Sequence, residues 1–124
     1  MKRVIISLVL LGLTVIFSVS TYSRLNSVSE KLTSQLDDIK KSADDISLSA
    51  QKLQAFSDEI EKNKSFFYTA MHHENMDDIK DSLARARARL EYNDSEDFAV
   101  EISSLKNYIE HMTELEKTDL TNIF

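Results

Sequence analysis

The chain has 124 residues, no Cys, no Pro, no Trp, one Gly and a formal charge of −6. That length supports one small core and not two. Without Cys there is no disulfide, thiolate nucleophile or zinc–thiolate site, and with no Pro and the one Gly inside the first apolar run the tight turns of a sheet protein are missing, which leaves an all-α chain.

The first element follows Met1, Lys2 and Arg3 directly. Val4 to Val19 is an uncharged, mostly apolar run, and no charge interrupts the chain before Arg24. As a helix the run spans about 24 Å at ~1.5 Å per residue. A bilayer core needs nearer ~30 Å, and Ser20, Thr21 and Tyr22 extend it, with the Tyr ring suited to the headgroup layer. Residues 1–22 are therefore expected to form a transmembrane anchor. Lys2 and Arg3 would stay cytoplasmic, because positive flanks resist translocation. The expected location is the cell membrane, single-pass, with residues 23–124 extracytoplasmic. A cleaved signal peptide is the rival, with Ser18-Val19-Ser20 as its small-x-small site. The helical pattern resumes at Leu25 without a spacer, which favours a retained anchor running into a stalk. Ser7, Thr14 and Ser18 share one face of this helix and could admit a partner helix closely. The plainer alternative is that these hydroxyls bond back to their own helix. Gly12 has no second Gly four residues away, so there is no GxxxG motif.

With Lys2 and Arg3 set aside, the whole-chain charge of −6 becomes −8 for the remainder. Such a surface repels nucleic acid and anionic headgroups at long range, so no nucleic-acid partner is expected.

The next helix is expected over about 23–41, on the stripe Leu25, Val28, Leu32, Leu36, Ile39 and Ala43. A break near Ser42 is the favoured reading, with Ser42 as cap and Asp45 completing a weakened capping box. The alternative is one long stalk to about Ile60, because the heptad phase is not lost across Ser42. The second exported helix is expected over 44–71, on Ile46, Ala50, Leu53, Ile60 and Phe67, with Phe56 beside it. Phe66, Phe67, Tyr68 and Met71 make its far end bulky enough to fill the wide end of a bundle core; dipping into the membrane is the alternative. A third helix, 76–92, would be capped by Asn75 and carry Met76, Ile79, Leu83, Ala86 and Leu90 inward. Asn93 or Asp94 would cap a fourth, 94–117, with Phe98, Ile102, Leu105, Ile109, Met112 and Leu115 inward. Short connections make an antiparallel bundle of three to four helices.

Residue types that carry chemistry are few. His72, His73 and His111 are the only histidines. His73 and Asp77 are four apart, so these side chains are weak metal candidates. Zinc asks for three or four ligands, and the plainer role of His72 and His73 is to complement a helix C-terminus. The acidic pairs Asp37-Asp38, Asp44-Asp45, Asp58-Glu59 and Asp77-Asp78 point apart on a helix and read as solvated faces. Arg85, Arg87 and Arg89 form a candidate interaction face for an anionic partner, or a charged face paired with acidic neighbours such as Asp81. No catalytic residue and no cofactor are expected.

A Lys-Arg start, one anchor, an acidic helical region, Asn75-Met76-Asp77-Asp78-Ile79 behind a histidine, Leu83-Ala84-Arg85 and a terminal Asn122-Ile123-Phe124 run in that order. In this the chain resembles a family of small bacterial single-pass proteins, mostly from Firmicutes, known only as a domain of unknown function. The likeness covers nearly the whole chain. His73 is the better match to the family histidine. Family members carry an aromatic, often Trp, midway along the second helix, where this chain offers Phe56 or Phe66. The resemblance implies membrane attachment, a helical exterior and no assigned catalytic residues. It also implies a multi-pass membrane partner of the YetF-like type.

The sequence thus reads as a non-enzymatic, single-pass protein that binds or regulates a membrane partner through its anchor and exported bundle. Two alternatives stay open: a coiled-coil structural subunit of a cell-envelope or division complex, and a ligand- or metal-sensing bundle. The apolar end is expected to fold back through Leu120, Ile123 and Phe124. Deleting the last three residues should lower the melting temperature, and an unchanged melting curve would contradict the fold-back.

Overall fold

The computed structural model describes residues 1–122, with the side chains of all of these except 117 and 119–122. Five helices and no strand occur among the described residues: α1 (Lys2–Lys41), α2 (Ile46–Lys62), α3 (Lys64–Ala70), α4 (His73–Glu91) and α5 (Ser95–Asn122).

Helix α1 is one unbroken element of 40 residues, about 60 Å long at ~1.5 Å per residue. Nothing in it breaks a helix: it lacks Pro, and Gly12 costs only backbone entropy. Its two halves meet different surroundings. An 18-residue window has a mean hydropathy of 2.5 with none of it buried, so the helix is long and apolar enough to cross a membrane by length and composition. From Leu25 onward only one stripe is apolar, and Leu25, Leu32, Leu36 and Ile39 are buried.

That stripe forms one wall of a four-helix bundle. α1 packs on α2 and α5, and α4 closes the square by packing on both of these. Ion pairs fix the antiparallel registers. Lys31 meets Glu59 at 2.9 Å and Lys52 meets Asp38 at 3.0 Å between α1 and α2. Lys106 meets Asp37 at 2.8 Å between α5 and α1. Exposed pairs of this kind contribute little energy, on the order of 0–1 kcal/mol each, so they align helices that the core holds. Phe56 and Phe98 are the largest fully buried side chains. The packing is close: the void among Leu25, Ile60, Phe67 and Met112 is only about 10 Å³, barely the ~10–15 Å³ a water needs.

The turns are closed by polar side chains. The expected break at Ser42 is present, but its chemistry differs from a capping box. Asp45 is the N-cap of α2 and accepts from the Leu48 N–H at 3.0 Å. Ser42 is buried, donates to the Ile39 carbonyl at 2.8 Å and lies 3.2 Å from the Ser49 hydroxyl. Ser49 in turn donates to the Ser42 carbonyl at 2.6 Å. This pulls Ser49 inward and leaves Ala50 exposed, reversing the expected placement of Ala50 in the stripe.

The helix expected over 44–71 is two helices. The Asn63 side-chain amide donates to the Glu59 carbonyl at 2.9 Å and to the Glu59 carboxylate at 3.1 Å. This local competition with the helix ladder ends α2, and α3 restarts directly. Phe67 and Met71 then enter the core, while Phe66 and Tyr68 pack partly buried at its edge. The next helix begins earlier than expected. His72 is its N-cap and His73 its first residue, so Asn75 lies inside the first turn rather than capping it. At the far end, Asp94 caps α5 through the Asp97 N–H at 3.1 Å. Asn93 takes the left-handed conformation, φ 57°. Its N–H reaches the Leu90 carbonyl at 3.1 Å and that of Asp94 the Arg89 carbonyl at 2.9 Å, the paired bonds of a Schellman motif.

Helix α5 runs past the expected end at residue 117 to Asn122. Leu115, expected in the core, is 54% exposed. Thr113, not Leu115, continues the inward face beyond Met112, bonding Ser29 of α1 at 3.0 Å and the Ile109 carbonyl at 2.7 Å. The expected fold-back of Leu120, Ile123 and Phe124 lies outside the described residues and side chains.

Ser49→Ala removes one of two donors to the Ser42 carbonyl, which keeps the Asp45 N–H at 2.9 Å, and should cost about 0.5–1.5 kcal/mol. Chemical denaturation of the detergent-solubilised full chain measures it; the same loss from Ala50→Ser would contradict the assignment of faces.

Candidate functional site

Three regions carry the residues singled out by sequence. The first is the projecting half of α1. Ser7 donates to the Arg3 carbonyl and Thr14 to the Leu10 carbonyl, both at 2.9 Å. These hydroxyls are thus satisfied within the helix and leave a face of small side chains. Ser18 is half-buried at the base of the projection.

The second region is α4. Arg85, Arg87 and Arg89 do not share one patch. Arg85 donates to Glu101 at 3.4 Å and to the Ser82 hydroxyl at 3.0 Å. Arg89 meets Asp97 of α5 at 3.5 Å. Arg87 reaches the other way, to the Gln54 side-chain carbonyl of α2 at 3.4 Å. Spacing by two residues turns a helical side chain by about 200°, so the middle Arg serves a different neighbour.

The third region is the end of the bundle where α2, α3 and α4 meet. His72, His73 and His111 are all exposed. The His73 ring lies 4.8 Å from the Tyr68 ring. Among the described residues no group of three or more His, Asp or Glu side chains is placed to hold a metal ion. The polar contacts here centre on Tyr108. Its hydroxyl is shared between the Asp78 carboxylate at 3.0 Å and the Asn75 side-chain carbonyl at 3.2 Å. Burial first, and then the Asp78 carboxylate that accepts its proton, pushes the Tyr108 phenol up to about 12. Lys80 donates to the Tyr68 hydroxyl at 3.1 Å, which raises the lysine above its ordinary value. Across the bundle the hydrogen bond from Lys31 holds the Glu59 carboxyl below its ordinary value, and that to Asp37 raises Lys106.

One feature escaped sequence reasoning. Where α1 leaves the bundle, α3 folds against it and the two enclose a groove of about 400 Å³. Phe17, Ser20, Thr21 and Arg24 line it from α1, and Ser65 and Phe66 from α3. The Arg24 guanidinium stacks on the Phe66 ring, 4.3 Å from its centroid, a cation–π contact. Arg24 was visible in the sequence as the first charge beyond the apolar run. Its pairing with Phe66 was not, because it depends on the break at Asn63.

The geometry defines a class: a four-helix bundle whose first helix continues as an exposed apolar rod. The chain belongs to the family described as a domain of unknown function (DUF4363), whose model matches residues 19–123. That match takes in the bundle and leaves nearly all of the apolar run outside it. No curated protein and no solved structure matches the chain.

The Tyr108 shift has a definite sign. A phenol raised above its unfolded value of about 10 adds stability in full below pH 10, and loses it as pH rises through about 12. Between those limits the melting temperature of the wild-type chain should fall more steeply than that of Tyr108→Phe. Parallel curves would show that the phenol is not held neutral by the fold.

Proposed function

We propose that this protein is a non-enzymatic, single-pass membrane protein whose anchor and helical bundle together bind or regulate a membrane partner. The observation that carries the reading is the projecting half of α1. Val4, Ile5, Ile6, Leu8, Val9 and Leu10 are each at least 55% exposed. An apolar surface of that extent is not left in water by a soluble monomer; a bilayer satisfies it, because a helix bonds all its own backbone groups. The basic start at Lys2 and Arg3 supports an inside N-terminus, with the acidic bundle on the other side.

Binding rather than catalysis is supported by what the polar groups do. Arg85, Arg89, Lys31, Lys52 and Lys106 are engaged in aligning helices. The partner surface that remains is the small-residue face of Ser7, Thr14 and Ser18 and the flank of the bundle nearest to it. A multi-pass membrane protein fits such a surface, since its helices can pack against small residues within the bilayer. A long parallel coiled coil fits less well. α1 ends at Lys41, and its apolar stripe is already covered by α2 and α5.

Two measurements test the reading. Intact-mass analysis of the membrane-extracted chain should return the full N-terminus; a chain beginning at Thr21 would end the anchor reading. Protease added outside sealed right-side-out vesicles should degrade the bundle, and full protection would reverse the orientation.

A further inference from the structure

We propose that the groove between α1 and α3 binds the phosphodiester headgroup of an anionic phospholipid, with Arg24 as its counter-ion. The proposal rests on the anchor reading above and names a ligand for the place where anchor and bundle join.

Charge is the first argument. The chain beyond residue 20 is strongly acidic, yet no carboxylate is among the residues lining this groove, and Arg24 is the one charged side chain among them. Among the cations at the helix interfaces, Lys31, Lys52, Lys106, Arg85 and Arg89 meet carboxylates, Arg87 meets the Gln54 side-chain carbonyl and Lys80 the Tyr68 hydroxyl. Arg24 meets a ring instead, and has no hydrogen bond or ion pair to any described residue. Stacking occupies the face of a guanidinium and leaves its N–H donors free in the plane, the geometry that suits a phosphate. The hydroxyls of Ser20, Thr21 and Ser65 line the same space. Thr69 is already committed, donating to the Ser65 carbonyl at 2.9 Å.

Depth is the second argument. Phe17 belongs to the apolar run and Arg24 lies about 10 Å further along α1, at ~1.5 Å per residue. The groove thus passes from apolar to polar depth over the distance in which a phospholipid passes from acyl chain to phosphate. Phe17 and Phe66 offer apolar walls at one end, and Arg24 the counter-charge at the other. A lipid with a choline or ethanolamine head brings an ammonium group that would find no anion in the lining, so a net-negative head such as phosphatidylglycerol is favoured. The acidic bundle opposes such lipids at long range. Occupancy therefore depends on the anchor holding the groove at headgroup depth.

The test uses the full chain in nanodiscs of equal phosphatidylglycerol and phosphatidylcholine, with retained lipids counted by native mass spectrometry. The wild-type chain should retain phosphatidylglycerol in preference. Arg24→Gln should weaken that preference about fivefold, the effect of one basic residue at an anionic surface, and Phe66→Ala should weaken it as well. Arg24→Lys should keep part of it, which separates loss of charge from loss of fold. Excess inorganic phosphate should not displace the lipid; displacement would assign the groove to a free anion and overturn the proposal. Equal retention by wild type and Arg24→Gln would overturn it while leaving the anchor intact. A polypeptide that co-purifies only when Arg24 is present, without lipid preference, would give the groove to a protein and overturn it too. Failure of the chain to enter nanodiscs at all would remove the anchor reading and the lipid site together.

Discussion

Burial of a single stripe of α1, from Leu25 to Ile39, is the interaction on which the rest of the molecule depends. Each large apolar side chain taken fully out of water there contributes on the order of 1.5–3 kcal/mol. The stripe faces α2 on one side and α5 on the other, so neither has its inner face covered without α1. α4 has no direct place on this wall and is held through α2 and α5. Because the helix supplying the wall is also the one that projects, the bundle cannot form without fixing the direction in which the apolar rod leaves it.

Charge in the bundle is organised around the same core. Lysines and arginines at the edges of the apolar faces reach across to carboxylates on the next helix. Their stems cover apolar surface while their heads stay wet. The net negative charge is therefore not spread evenly. Arg24, like Arg87 and Lys80, has a neighbour without charge: it is Phe66 of α3, and α3 presents no acid there.

Much of this architecture was legible in the sequence. Spacing by three and four set most of the inward faces of α1, α4 and α5, and Asn93-Asp94 marked the turn before α5. What escaped was decided by side chains competing locally with the backbone. Ser49 enters the core because its hydroxyl closes the turn at Ser42, which hydropathy alone assigns to Ala50. Asn63 ends α2 by bonding back to Glu59, where the apolar pattern runs on undisturbed. Leu115 keeps the spacing of the inward face, yet Thr113, tied to Ser29, takes the inward position. The groove needs the break at Asn63, which leaves no mark in periodicity, together with the continuity of α1 across Tyr22, which the stripe resuming at Leu25 does favour.

The absence of any hinge in α1 has a mechanical consequence. Kinks in helices come from Pro, from π-bulges or from Gly and Ser pairs, and α1 continues through Ser23, Ser27 and Ser29 without a break. The apolar rod and the bundle therefore form one continuous lever. The stretch from Leu25 to Lys41 is about 24 Å long, so a tilt of ~20°, ordinary for a helix in a bilayer, swings the far turn at Ser42 sideways by about 8 Å. Rotation of the rod about its own axis is passed on undiminished, turning a different flank of the bundle toward whatever stands beside it. In a chain built this way, a displacement of the apolar half displaces the bundle without a change in its fold.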